Sequence, residues 1–186
     1  MVRTHIGRKI IITLVVLGAL LGASYLYHRF VGMKEKAPVE VQPVPGETKT
    51  VTLFFGDRSA DGFLAETREI PAAGAFEDQV KGALSELIKG PQGGDKVNAI
   101  PAGTELQQVF WVEDTQTLFL DFNKALVANH PGGSTAEYFT IGSILRTVSA
   151  NFPQVKRVQF LIEGSAVESI AGHYAVDKPI DVQRWK

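Results

Sequence analysis

Read for its alternation of apolar and polar positions, the chain falls into three stretches of different character. Ile10 to Leu26 reads IIITLVVLGALLGASYL without a charge, preceded by Arg3, Arg8 and Lys9 and closed by Tyr25 and Tyr27. A run of about 17 to 20 apolar residues is the minimum that crosses a hydrocarbon core, and tyrosines at its far end suit a membrane interface. The expectation is an uncleaved transmembrane helix: a single pass through the cytoplasmic (inner) membrane, N terminus inside and the rest extracytoplasmic. A cleaved secretory signal competes, because Gly22, Ala23 and Ser24 are small residues near a possible cut; Leu21, three positions before a cut after Ala23, fits it poorly. Either way, the remainder of the chain is exported. Residues 32–50, GMKEKAPVEVQPVPGETKT, carry Pro38, Pro43 and Pro45, which neither a helix nor a central strand tolerates. They predict a semi-extended linker. The chain thus divides into a tail and anchor at 1–31, a linker at 32–50 and an extracytoplasmic domain at 51–186.

Within the domain the pattern alternates between strand and helix periods. VTLFF at Val51 to Phe55 and FLAETREIP ending at Pro71 flank Gly56, Asp57, Asp61 and Gly62, which predicts a hairpin. Phe76, Val80, Ala83, Leu84, Leu87 and Ile88 recur at helical spacing, with Glu77 and Asp78 in the first turn, Lys89 in the last and Gly90 and Pro91 as the stop. ELQQVFWVED and TLFLDFN, joined around Asp114 to Gln116, predict a second hairpin. Ser134 and Glu137 have capping-box spacing at the start of a second helix, whose apolar side carries Ile141, Ile144, Leu145 and Val148 before Asn151, Phe152 and Pro153 end it. VKRVQFLIEG is the last strand, with Val158, Phe160 and Ile162 turned inward. Two amphipathic helices on a mostly antiparallel sheet make a two-layer α+β sandwich.

Composition narrows the chemistry. The 186 residues include no Cys, which removes disulfides, thiolate nucleophiles, iron–sulfur clusters, Cys-ligated zinc and a lipidated cysteine. The formal net charge of −1 conceals a division. Residues 1–36 carry six basic and one acidic residue, and residues 37–186 carry 13 basic and 19 acidic ones. A basic anchor suits anionic lipid, whereas an acidic exported domain is a poor nucleic-acid binder.

Four segments in order, LSELIKGP (Leu84–Pro91), IPAGTEL (Ile100–Leu106), LFLDFN (Leu118–Asn123) and GSTAEYFTIGSILRTVSANFPQVKRVQFLIEG (Gly133–Gly164), with GHY after them at Gly172–Tyr174, resemble the GerMN domain of GerM-type sporulation and germination proteins. The resemblance covers most of Val51 to Ile180, in a single copy. It implies an extracytoplasmic α+β module of envelope assemblies, similar in layout to ring-building motifs, connected with sporulation, germination or peptidoglycan and without established catalytic residues. Glu137, Arg146 and Thr147 match the family's second helix.

The motif residues also have plain physical readings. Gly90 and Pro91 stop a helix. Pro101, Gly103 and Thr104 form a turn before a strand, and Gly164 is the last residue of the final strand run. Asp121 lies opposite Leu118 and Leu120 on its strand, as a buried cap or a surface acid. Arg146 reads as part of an exposed helix face, able to pair with a carboxylate or meet a partner. The His130 to Thr135 loop could offer amides to an anion, but a first-turn Glu137 competes for them. Histidines occur at 5, 28, 130 and 173, with no HExxH pair, no GxSxG and no P-loop. No catalytic, metal or cofactor residue is assigned. Two functions are compatible with these features: a membrane-tethered scaffold or interaction module, binding an envelope protein or peptidoglycan and able to self-associate through effective concentration on one membrane, or a cell-wall hydrolase or metal enzyme using Asp121, His130 or His173.

Overall fold

The computed structural model describes Tyr25 and residues 47–185. The chain divides into two units, Met1–Gln42 and Pro43–Lys186. Except for helical Tyr25, the expected membrane span lies outside the described residues, as does the linker up to residue 46. Among the described residues no helix is long and apolar enough to cross a membrane.

The second unit is α+β, with its core between two sheets and two long helices. Strand β1, Thr48–Asp57, turns Val51, Leu53 and Phe55 inward at every second position. It starts three residues before Val51, so the linker reading runs slightly too far. An Asp57 carboxylate that accepts the Asp61 N–H at 2.8 Å shapes the turn into β2, Phe63–Pro71, which pairs antiparallel with β1. Helix α1, Phe76–Ile88, buries Val80, Ala83, Leu84 and Leu87, and Asp78 caps its start by accepting the Ala75 N–H at 3.1 Å. A two-residue strand β3, Lys96–Val97, meets only the end of β1. Then β4, Leu106–Val112, pairs antiparallel with β5, Thr117–Phe122. A single turn, α2, Ala125–Ala128, precedes the long helix α3, Ser134–Asn151. Strand β6, Arg157–Ile162, returns parallel to β5, as a helical crossover permits. Strand β7, Ile180–Asp181, and a 3-10 turn, Val182–Trp185, complete the fold.

Three expectations need correction. The strands form two sheets, ordered β2-β1-β3 and β4-β5-β6-β7, and the second is mixed. The reason lies in α3, which occupies the edge of β1 where β3 does not reach. Asn151 Oδ1 accepts the Thr52 N–H at 2.8 Å, Asn151 Nδ2 donates to the Thr52 carbonyl at 2.7 Å, and Thr147 Oγ1 accepts the Phe54 N–H at 3.1 Å. Side chains thereby replace a neighbouring strand. The described α-helices of this unit number three, with the short α2 unforeseen. Finally, α3 is buried on most sides rather than amphipathic, enclosing the polar Glu137, Thr140, Ser143 and Thr147 as well as its apolar side chains.

Candidate functional site

The residues singled out in the sequence settle into three polar knots and one helix face. The first centres on Arg68 of β2, 8% exposed. Its Nε and Nη2 donate to Glu66 Oε1 at 2.9 and 2.6 Å, Nη1 donates to the Glu86 carbonyl and carboxylate at 2.9 and 3.2 Å, and Nη2 donates to the Gly90 carbonyl at 2.5 Å. Gly90, at φ +88°, takes the left-handed conformation that suits glycine, and Pro91 comes next. Burial pushes the Glu66 pKa up, but hydrogen bonds from Arg68, the Gln92 N–H and Lys96 outweigh it and hold the group low. Glu86 is held low first by Lys89 and then, against burial, by Arg68.

The second knot fastens the IPAGT loop. Pro101 is buried and its carbonyl accepts the Thr104 N–H at 3.2 Å. Asn123 Nδ2 donates to the Gly103 carbonyl at 2.9 Å, Asn123 Oδ1 accepts the Glu105 N–H at 3.1 Å, and Asn129 Nδ2 donates to the Ala102 carbonyl at 2.8 Å. Gly103 has φ +79°, and Thr104 is 4% exposed. With Val97, Ile100, Ala136 and Phe139, Pro101 lines a cleft of about 640 Å³.

The third knot overturns the capping-box reading of Glu137. Gly133 stands at the N-cap position, Ser134 makes no capping bond, and Glu137 is 0% exposed. Its Oε1 accepts the N–H groups of Ile170 and Ala171 at 3.0 and 2.9 Å. Oε2 accepts the His173 N–H at 2.8 Å and lies 3.2 Å from His173 Nδ1. Burial raises the Glu137 pKa, but backbone N–H bonds from Ala171, His173, Ile170 and Tyr174 prevail and lower it. Glu137 is therefore a buried carboxylate that folds the 170–174 segment onto α3. His130 also approaches it. The His130 Nδ1 accepts the Gly132 N–H at 3.0 Å, so its proton resides on Nε2, which faces Thr140 Oγ1 at 3.1 Å. Its pKa is lowered by burial and by His173, against the pull of Glu137 and a bond to Ala136. Among the described residues no group of three or more His, Asp or Glu could hold a metal.

The two open readings resolve toward structure. Asp121 is buried, and its Oδ1 accepts the Gly164 N–H at 2.8 Å, which fixes the turn after β6. Arg146 is half-buried rather than on an open face: its guanidinium lies 4.6 Å from the Phe63 ring centroid. Gly142 makes room for that ring, since a Cβ there would sit 2.3 Å from Phe63 Cζ. Trp185 is half-buried and stacks on Tyr138 at 5.1 Å.

What sequence reasoning missed is the outer side of β4. Val109 and Trp111 turn inward, Trp111 meeting Phe76 of α1 edge-on at 5.2 Å, while Phe110 and Val112 remain 47% and 40% exposed. Strand β4 is the end strand of its sheet. The signal was present: Phe110 and Trp111 are adjacent in a strand, and alternation obliges one of them to face out.

Comparison with known proteins places this arrangement. A crystal structure described as that of a lipoprotein from Clostridium perfringens shares 24% identity at a TM-score of 0.52, covering 72% of this chain and 87% of that one. The tandem GerMN domains of the sporulation protein GerM from Bacillus subtilis share 17% identity at a TM-score of 0.57; 80% of this chain is covered, and it spans 49% of that protein. These likenesses concern the fold. No curated protein matches the chain. The Germane family model, sporulation and spore germination, matches residues 52–168, more than half of the sequence, and the chain therefore belongs to that family.

Proposed function

We propose that the protein is a membrane-tethered interaction module of the bacterial cell envelope, holding its domain outside the cytoplasmic membrane and acting by binding in sporulation, germination or peptidoglycan-associated assembly, not by catalysis. One observation carries this reading: the polar motif residues Asp121 and Glu137 are buried and spent on holding loops, and large apolar side chains, Phe110 and Val112 of β4, are left out on an end strand. An unpaired edge offers backbone donors and acceptors to an added strand, and alternate side chains give selectivity. Two of the three groups named for a hydrolase, Asp121 and His130, are engaged in holding the fold, and the third, His173, is 44% exposed with its Nδ1 on Glu137. Asp121 holds Gly164, Glu137 accepts backbone N–H groups through both oxygens, and both ring nitrogens of His130 are bonded. The charge-free run and the basic residues before it support tethering and export.

The test is a photo-crosslinking residue at Phe110 of the full-length chain in cells, combined with mass spectrometry. A discrete crosslinked protein is expected there and none with the same residue at Asp177. No product at Phe110, together with turnover of wall fragments by the purified chain, would overturn the proposal. An alkaline phosphatase fused after Lys186 is expected to be active, and an inactive fusion would remove the export half of it.

A further inference from the structure

Strand β4 contains no charge from Leu106 to Val112 and is bounded by exposed charges, Glu105 before it and Glu113 and Asp114 after it. A cation stands beside its first half. Lys81 of α1 donates from Nζ to the Gln107 carbonyl at 2.8 Å, at the bulge that shifts the β4–β5 register between Leu106 and Gln108. Past Glu105, the edge therefore runs from a lysine, across exposed Phe110 and Val112, to an acidic pair. Such a sequence of groups is complementary to its own reverse.

We infer that the partner at this edge is a second copy of the chain, its β4 pairing antiparallel with β4 about a twofold axis at Phe110; this rests on the interaction-module reading above. In that register Phe110 faces Phe110, Val109 faces Trp111 and Gln108 faces Val112. One step further, Glu113 of each copy comes beside the bulged Gln107 of the other, where Lys81 stands, and two equivalent Lys81 to Glu113 pairs form. Other registers lose this match. A slip of two residues in one direction sets Glu113 opposite Glu105, and a parallel in-register arrangement aligns lysine with lysine and glutamate with glutamate. The pairing joins two four-stranded sheets into one and covers the exposed rings. A twofold contact of this kind uses the same patch on both copies, and anchoring in one membrane raises their effective concentration.

The absence of cysteine makes the test direct, because any introduced thiol is the only one in the chain. Opposed Cα atoms in an antiparallel pair lie about 4.5 to 5.5 Å apart, within the span of roughly 4.4 to 6.8 Å that a disulfide bridges. Full-length Phe110→Cys, oxidised in its membrane and in detergent, is expected to give mainly disulfide-linked dimer. Leu64→Cys, exposed on the edge strand β2, is expected to stay monomeric. Mixing Gln108→Cys chains with Val112→Cys chains should give the mixed dimer, and neither alone should crosslink. In the Phe110→Cys background, Lys81→Glu or Glu113→Lys should each lower the yield about tenfold through like-charge contact, and the double exchange should restore it to within about twofold; circular dichroism confirms folding of each. Crosslinking at Phe110 no greater than at Leu64, or failure of the double exchange to restore it, overturns the inference. Capture only of a different protein by the Phe110 photo-crosslinker also overturns it while leaving the interaction-module reading intact; capture of nothing overturns it as well and, together with turnover of wall fragments, removes that reading itself.

Discussion

Glu137 and Phe110 reverse the usual distribution of side chains. A carboxylate sits at 0% exposure in the first turn of α3, beneath the 170–174 segment, and a phenylalanine sits 47% exposed on a strand at the end of a sheet. The first is stable because every demand it makes is met nearby: four backbone N–H groups from one segment converge on two oxygens. Burying an ion is costly unless such bonds replace its water. The second has no comparable local explanation. Turning Phe110 outward is the consequence of turning Trp111 inward, and the fold gains nothing from its exposed area. A polar group inside is therefore evidence about how this domain holds its shape, and an apolar group outside is evidence about what it meets. The family motifs fall mostly on the first side of that division, which is why they define the fold better than the function.

Breaking the buried region should produce the largest effect. Glu137→Ala leaves the N–H groups of Ile170, Ala171 and His173 without their acceptor in a mostly buried setting, and each such loss costs about 1 to 3 kcal/mol. A total fall of about 4 kcal/mol is expected from urea unfolding, with protease sensitivity appearing in the 168–174 segment. Glu137→Gln keeps one good acceptor and should lose less. Equal stability of Glu137→Ala and the parent would refute the assignment of Glu137 as the organiser of that segment. Next in size is Asn151→Ala, which removes the bonds to both backbone groups of Thr52. About 2 kcal/mol is expected, and hydrogen exchange at the Thr52 amide should accelerate while exchange in β5 does not.

Acid should reach the same buried region in two stages. Folding holds the His130 pKa below its ordinary value of 6.5, chiefly through burial, so the folded state favours the neutral ring. That contribution is complete above about pH 6.5 and is lost as pH falls through the lowered folded value. Glu137, Glu66 and Glu86 also have lowered values, and their contributions are complete above 4.5 and are lost below it. The urea midpoint should therefore decline first below pH 6.5 and again below pH 4.5. His130→Gln should flatten the upper stage and preserve the lower one; an unchanged upper stage would show that another group titrates there.

The contrast also separates what was legible in the sequence from what was not. Helix α1 was legible to within a residue because its signals are local: apolar spacing, acids in the first turn, Gly90 and Pro91 as the stop; Lys89, expected in the last turn, stands just past it as the C-cap. Both hairpins could be read from alternation and turn chemistry. The role of Glu137 was not legible, since its position three residues after Ser134 is equally that of a capping partner, and the amides it holds lie 33 to 36 residues further on. Separation of the sheets escaped for the same reason. It depends on Thr147 and Asn151 reaching strand residues 93 and 99 positions away. Arg68, expected only as a residue of a strand, gathers Glu66, Glu86 and Gly90 through five bonds, three of which leave its own strand. Alternation in β4, by contrast, was sufficient to place either Phe110 or Trp111 outside.

The smallest stability change should come from Phe110→Lys, and its smallness is the point. An exposed end-strand position makes few folded-state contacts, so the variant should unfold within about 0.5 kcal/mol of the parent. Lysine on an open edge opposes addition of another strand, and it meets a second lysine if the twofold pairing holds. Capture at β4, tracked by a photo-crosslinker at Val112 in full-length chains, should therefore disappear while the midpoint of unfolding stays put. Glu137→Gln, in the same assay, should lower the midpoint and retain capture wherever enough chain remains folded. A large loss of stability in Phe110→Lys would make Phe110 part of the core and remove the reason for assigning β4 a partner; unchanged stability with unchanged capture would move the contact to another surface of the domain.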